Sequence, residues 1–361
     1  MAEYRIEVIN GPNKLDLIRS SWNDLLKNSS VNNVFLTWEW IKAWSELFMT
    51  DQRELFVLIV CEGDSILAIA PWYLRRVQTG LWTIREIEPI GTPEAGSDYL
   101  DVIVKKGKEK EVARFLYGYL LGDASDRWQR LRLHDVPNNS LFLLHFLNRI
   151  KEDGKYAEVG YASYCPFSIL PATEEEFFSG LSPRRGQRFR QDLRTLQKQD
   201  TVEHLTFSSK DLDAPMEDFF RLYKEKWGSQ GDVLFLLLRR FVELMGEDTV
   251  QIDFLVAGGS KVGGLLHLKY GNTLYMYLMA IDKTYNSKVS IGNLLVGLCL
   301  NNAIRSGVAC YDFLKGEEDY KFHWANSGQR SATVLFSQRK LAPVCMTLVD
   351  MAKSAAKLVL R

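Results

Sequence analysis

The fourteen residues YDFLKGEEDYKFHW at 311–324 hold four carboxylates, two lysines, a histidine and five aromatic rings. Asp312 sits in the apolar run Tyr311–Leu314, where an ionised carboxylate is costly unless it is paired or functional. Three roles fit it. It accepts a proton from an amine or hydroxyl nucleophile, it orients Lys321 or His323, or it forms a structural ion pair with Lys321. Lys321 carries the charge to neutralise a developing oxyanion or a substrate phosphate. Tyr320 and Trp324 supply either a stacking wall or ordinary core. Glu317, Glu318 and Asp319 read as a solvated face from which Glu317 is the candidate for a substrate contact. The loop is expected to fold over the end of its strand and bring Lys321 and His323 to Asp312.

His267, in GGLLHLKYG, is a second candidate. Strand alternation puts Leu265, His267 and Lys269 on one side. An imidazole one strand away from Tyr275 and Tyr277 has the titration range of a general base; the alternative is a histidine hydrogen-bonded within a packed sheet. The segment SPRRGQRFRQDLRTLQKQ clusters arginines, of which Arg184 and Arg188 share a helix face with Arg194 and Lys198. Such a face either binds phosphate or is simply solvated. No GxSxG, HExxH or Walker loop is present, and His134 and His145 have no metal-ligand neighbours. No metal site is expected. The five cysteines are odd in number and scattered without a CxxC pair, which points to small buried residues of a reducing compartment.

These groups need a scaffold, and 361 residues are more than one ordinary core requires, so two domains are expected. Lys plus Arg equals Asp plus Glu at 45 each, which argues against a broad electrostatic grip on DNA. The polar N-terminus is unlike a signal peptide, and no apolar run reaches the roughly 20 residues of a membrane span. The expected location is the cytoplasm. In the first half the pattern predicts a strand at 4–9 and a helix over 15–27. A second helix follows, entered through Thr37 as N-cap, then a hairpin, further strands, a helix, a strand and a helix closed by Gly154. Residues 155–181 read as an irregular bridge broken by Pro166 and Pro171. The second half repeats the grammar: helix 184–199, strand 202–207, two helices, the hairpin 250–270 and a strand ending at Ile281. A helix from near Asn293, the strand at 310–314, a last β-run and an amphipathic helix from Pro343 to Leu360 complete it.

The block YNSKVSIGNLLVGLCLNNAIRSGVACYDFLKGEEDYKFHWAN resembles the GNAT-type acyltransferases of the cellulose-biosynthesis-type or Fem-like branch. Asp312, Phe313, Leu314, Gly316, Tyr320, Lys321 and Trp324 carry the likeness, which continues more weakly through FLTWEWIKAWSELF and the arginine-rich segment. Val289 departs from it, and an extra residue shifts the turn Ser290-Ile291-Gly292. The resemblance implies an α/β (α+β) chain of two tandem GNAT-like domains, residues 1–165 and 166–361, each a mixed β-sheet flanked by helices. It also implies acetyl-CoA or another acyl-CoA in the second domain. Ser290, Ile291, Gly292 and Asn293 would hold the pyrophosphate at a helix N-terminus. Ala280 and Ile281 would flank the thioester, whose carbonyl a backbone amide of that strand would polarise. The implied activity is direct N- or O-acyl transfer to a small-molecule or sugar acceptor, a cell-envelope or polysaccharide precursor, with His267 or Asp312 as base. An aminoacyl-tRNA-dependent Fem-type transferase and a non-catalytic scaffold are the alternatives, and the oligomeric state is left open.

Overall fold

The computed structural model describes residues 4–79, 82–208 and 212–338; the helix expected over Pro343–Leu360 and Cys345 lie outside them. The chain groups into two compact units. The first holds Met1–Ala162 together with the chain from Ser331 onward, and the second holds Ser163–Arg330. Among the described residues no helix is long and apolar enough to cross a membrane.

The first unit opens with β1 (Tyr4–Ile9), α1 (Pro12–Asp16), α2 (Arg19–Lys27) and α3 (Trp38–Phe48). The stretch expected as one helix over 15–27 is two, because Ile18 leaves helical geometry with φ −115° and ψ 9°. Thr37 caps α3 as its sequence suggests, its Oγ1 accepting the Trp40 amide at 3.3 Å. Next come β2 (Arg53–Leu55), β3 (Val57–Glu62), β4 (Ser65–Ala70), β5 (Trp72–Thr79), β6 (Trp82–Pro89) and β7 (Ile103–Val104). The helices α4 (Glu109–Leu121) and α5 (Leu141–Glu152) flank β8 (Arg130–Pro137). Strands β1, β3, β4 and β7 form one sheet in that order; β2, β5, β6 and β8 lie side by side in another, with β6 and β8 parallel.

The second unit is entered through β9 (Ala157–Ile169), then α6 (Glu174–Gly180) and α7 (Pro183–Gln199). Pro171 does fall in the break between β9 and α6, whereas about half of the bridge expected to be irregular is a strand that runs straight through Pro166. Proline is tolerated there because its carbonyl takes the bond, accepting the Phe313 amide at 3.0 Å. The chain continues as β10 (Val202–Ser208), α8 (Asp213–Trp227), α9 (Gln230–Met245), β11 (Val250–Ala257), β12 (Ser260–Tyr270) and β13 (Thr273–Ile281). It ends with α10 (Ile291–Arg305), β14 (Cys310–Asp312), α11 (Asp319–Trp324) and β15 (Ser327–Ser337), whose last residues pair with β8. The unit's strand order is β10-β11-β12-β13-β14-β9.

Two adjacent glycines in β12 show how its helices are seated. A Cβ at Gly263 would meet Ile291 of α10 at 2.9 Å, and one at Gly264 would meet Phe219 of α8 at 2.9 Å. Successive strand residues face opposite sides, so α10 covers one face and α8 the other. Gly297 in α10 lets Phe189 of α7 and Trp324 of α11 close on the helix, since a Cβ there would clash with the Phe189 ring and lie 2.9 Å from Trp324. Gly118 in α4 has nothing within 4 Å of that position.

The two helical glycines therefore respond oppositely to the same change. Gly297→Ala should destabilise by about 1–3 kcal/mol through overpacking. Gly118→Ala should stabilise by about 0.5–1 kcal/mol through helix propensity alone. Urea unfolding measures both, and a neutral Gly297→Ala would show that Phe189 and Trp324 do not close on α10 as described.

Candidate active site

In the second unit β13 pairs with β12 along its whole length, from Tyr270↔Thr273 to Gly263↔Ile281. With β14 it pairs over three residues, Thr273–Tyr275 beside Cys310–Asp312, in parallel. Beyond Tyr275, β13 runs on to Ile281 and β14 does not follow. The cause is local. The Asp312 carboxylate is buried, and its Oδ1 accepts the Leu314 amide at 2.8 Å. Leu314 takes φ +56° and Gly316 φ +132°, so the chain swings toward β9. There Phe313 and Gly316 donate their amides to the carbonyls of Pro166 and Tyr164, each at 3.0 Å. A wedge opens between the parted strands.

The stretch expected as a charged loop forms the short helix α11. Lys321 is buried on it and pairs with Glu318 Oε2 at 3.1 Å. The same ammonium donates to the Lys315 carbonyl at 2.6 Å and the Leu314 carbonyl at 3.4 Å. The expected delivery of Lys321 to Asp312 is therefore replaced by a pair that braces the turn, lying where a Cβ on Gly316 would clash. His323 is exposed, and its carbonyl accepts Arg185 at 3.3 Å. Glu317 is exposed as well, and Tyr320 is half-buried. Trp324 is core, donating its indole N–H to Asn293 Oδ1 at 2.9 Å.

That last bond ties α11 to the first turn of α10. Ser290 caps α10, its Oγ accepting the Asn293 amide at 3.4 Å. The loop before it is held at the C-terminal end of α7, through Tyr285 to the C-cap Asp200 at 2.6 Å and Gln199 to the Asn286 carbonyl at 2.8 Å. Ile291 is buried against Gly263. At Gly292 a Cβ would stand 3.1 Å from Met279 Sδ and 3.5 Å from Ile281, so β13 runs directly beneath this turn. Ala280 is buried and Ile281 half-buried on the same strand. The amides of a helix's first turn lack intrahelical acceptors and, with the helix dipole, favour an anion.

Electrostatics at the wedge disfavour other anions beside Asp312. Burial pushes the Cys310 thiol up to about 12, with Asp312 adding to the rise. Burial raises the Tyr275 hydroxyl well above its usual range, again with Asp312 contributing. Tyr277 is half-buried further along β13. His267 stands apart from this group. It is fully buried on the α10 face, hydrogen-bonded through Nε2 to Tyr311 Oη at 2.7 Å, whereas Asp312, the next residue after Tyr311, faces the other way. The structure does not bring the two candidate bases together. Arg184 and Arg188 are exposed on α7, and Arg188 pairs with Asp192 at 2.8 Å. The Asn293–Trp324 bond left no mark in the sequence, since 31 residues separate its partners.

Residues 183–322 match the family model described as an acetyltransferase (GNAT) domain. No curated protein matches the chain. Among solved structures, that described as FemX aligns at 9% identity and TM-score 0.59, over 92% of this chain and 97% of the other. A tandem GNAT protein from the clavulanic acid biosynthesis pathway aligns at 12% identity and TM-score 0.52, over 94% and 100%. L-PGS from Bacillus licheniformis aligns at 9% and 0.51, over 94% and 96%. At these identities the likeness is one of fold. The fold is the GNAT fold, mixed sheets flanked by helices, and the match to the acetyltransferase (GNAT) domain model falls within the second unit.

Asn293→Ala would leave the buried Trp324 N–H without its acceptor and should cost about 1–3 kcal/mol. Asn293→Asp keeps an acceptor oxygen and should recover most of that loss. Equal stability of wild type and the alanine variant in urea would show that the bond does not hold α11 to α10.

Proposed function

We propose that this chain is an acyl-CoA-dependent N- or O-acyltransferase that acts by direct transfer on a small-molecule or saccharide acceptor, as a cell-envelope or polysaccharide precursor would provide. The observation that carries the reading is the wedge between β13 and β14, opening beside the Ser290-capped start of α10 within the matched domain. The residues fit the cofactor: within Ser290–Asn293, Ile291 and Gly292 offer first-turn amides for its pyrophosphate while Ser290 caps the Asn293 amide, and β13 offers backbone along the side β14 leaves. Acyl-CoA would supply an activated thioester, and the amides near Ala280 and Ile281 would polarise its carbonyl.

Attack by the acceptor's nitrogen or oxygen forms the new acyl bond as the C–S bond breaks, and the acceptor's proton passes to Asp312. Asp312 suits this better than His267, which is sealed beneath α10. Cys310 is held protonated, which agrees with transfer without a covalent enzyme intermediate. Lys321 and Glu318 keep the turn in place, and Trp324 keeps α11 on α10. Tyr275, Tyr277, Tyr320 and Glu317 are the candidates for acceptor contacts, with Arg184 and Arg188 for an acceptor phosphate; His323, exposed on α11, is a further candidate.

Ser290→Asp isolates the donor site. Aspartate caps a helix as well as serine does, so folding should be unchanged, while its charge should weaken acetyl-CoA binding at least ~tenfold, about 1.4 kcal/mol. Calorimetry reads this, and unaltered affinity would remove the phosphate site from α10. Mass spectrometry of small molecules released on denaturation should find acyl-CoA; charged tRNA in its place, or no CoA binding at all, would favour the Fem-type or scaffold alternative.

Asp312→Asn keeps an oxygen for the Leu314 amide but cannot take up the proton. Acetyl-CoA turnover against a panel of amines and amino sugars should fall by roughly a hundredfold or more with the melting temperature preserved. Full turnover in Asp312→Asn would make Asp312 a turn residue and nothing more.

A further inference from the structure

The α10 face of the second unit's sheet holds a polar cluster that acyl transfer does not use. Asp253 of β11 is fully buried there. Its Oδ1 accepts Thr206 Oγ1 at 2.7 Å and lies 3.0 Å from His204 Nε2; its Oδ2 accepts Gln251 Nε2 at 2.8 Å. Cys299 comes down from α10 with Sγ 3.9 Å from the same His204 Nε2. Both neighbours thus face one ring nitrogen. A nucleophile–base–orienter relay needs the two nitrogens of the imidazole to face different partners, so Cys299, His204 and Asp253 are not a catalytic triad.

The arrangement matches a different chemistry. One nitrogen, one carboxylate oxygen and one sulfur all lie within 4.8 Å of one another. A tetrahedral ion with bonds of about 2.0–2.3 Å has ligand–ligand edges of roughly 3.3–3.8 Å, and the observed 3.0 and 3.9 Å bracket that range. We propose that His204, Asp253 and Cys299 form a binding site for a borderline-soft divalent cation such as Zn²⁺, with its fourth position open on the His204 side. Imidazole and thiolate select such an ion over Mg²⁺ or Ca²⁺. Supporting contacts of the kind that orient metal ligands are in place. Thr206 and Gln251 hold the carboxylate, and Asn302 Nδ2 holds Thr206 at 3.1 Å. His267 Nδ1 adds a second imidazole 3.2 Å from Asp253 Oδ2, misaligned for a hydrogen bond to it. His204 keeps 18% of its side chain exposed, which gives the ion a way in.

Binding must displace the Cys299 proton, since the thiolate is the ligand. Without an ion, burial and the Asp253 charge hold that thiol well above its usual range. One S–H bond is therefore exchanged for one metal–sulfur bond, and one proton goes to solvent for each ion bound. Affinity should fall as pH is lowered.

The test uses the full chain without a histidine tag, freed of metal by a chelator and titrated with Co²⁺. Uptake of one equivalent is expected, with a near-ultraviolet thiolate-to-cobalt charge-transfer band that Zn²⁺ abolishes by displacement. Cys299→Ser should lose the band, His204→Gln should weaken binding at least tenfold, and Cys310→Ser should change neither. Circular dichroism checks each fold. If Cys299→Ser fails to fold, His204→Gln, at a partly exposed position, decides alone. No stoichiometric uptake by the wild type, a band that survives Cys299→Ser, or equal affinity in His204→Gln would overturn the site. Acetyl-CoA affinity should be the same in His204→Gln, which keeps this outcome separate from the acyltransferase reading.

Discussion

Asp312 accepts the amide of Leu314 at 2.8 Å, and this bond turns the chain out of register with β13 after three paired residues. A buried carboxylate in a strand is expensive unless donors meet it. Here a donor two residues on meets it, and the chain can make that contact by leaving the ladder. Leu314 and Gly316 accept positive φ to complete the turn, and β9 takes up the released amides of Phe313 and Gly316. The separation of β13 from β14 is thus built from ordinary hydrogen bonds. The same carboxylate raises the cost of ionising Tyr275 and Cys310 beside it.

Helix α10 is the second organising element, and small residues let it be so. Gly263 and Gly292 allow its first turn to rest on β12 and β13, and Gly297 admits Phe189 and Trp324. Trp324 then reaches Asn293, so α11, which follows β14, is tied to the turn that begins α10. The loop entering α10 is fastened from the other side by Tyr285 and Gln199. A first turn fixed this way presents its amides without further ordering, which lowers the entropic cost of binding an anion there.

The sheet also divides the unit's polar chemistry. Tyr275 and Asp312 share one face, while Asp253, His267, Tyr311 and Cys299 meet on the other beneath α10. Alternation along a strand makes this separation unavoidable, because residues next to each other in sequence point to opposite sides. His267 and Asp312 are interchangeable as bases when read by residue type. They are not interchangeable once Tyr311 is found between them.

Much of this was legible from the residues alone. The 3.6-residue spacing over 38–48, with Thr37 ahead of it, specified a capped helix. Alternation through 250–281 specified the strands that carry His267 and Tyr275, and the helix expected from near Asn293 is α10, which starts at Ile291. These are local matters, decided by neighbours within a turn or two. Pro166 misled, since a proline's effect depends on whether its missing N–H was needed by the strand alongside. Lys321 was expected at Asp312 and went to Glu318 three residues away, a shorter reach that a helical turn provides. The gathering of His204, Asp253 and Cys299 needed three separate elements to pack, and no spacing in the chain announced it. Sequence determined the elements and the groups they carry, because both follow from local backbone and side-chain preferences. Only tertiary structure decided which groups share a face, because that depends on strand pairing and on the contacts glycines permit.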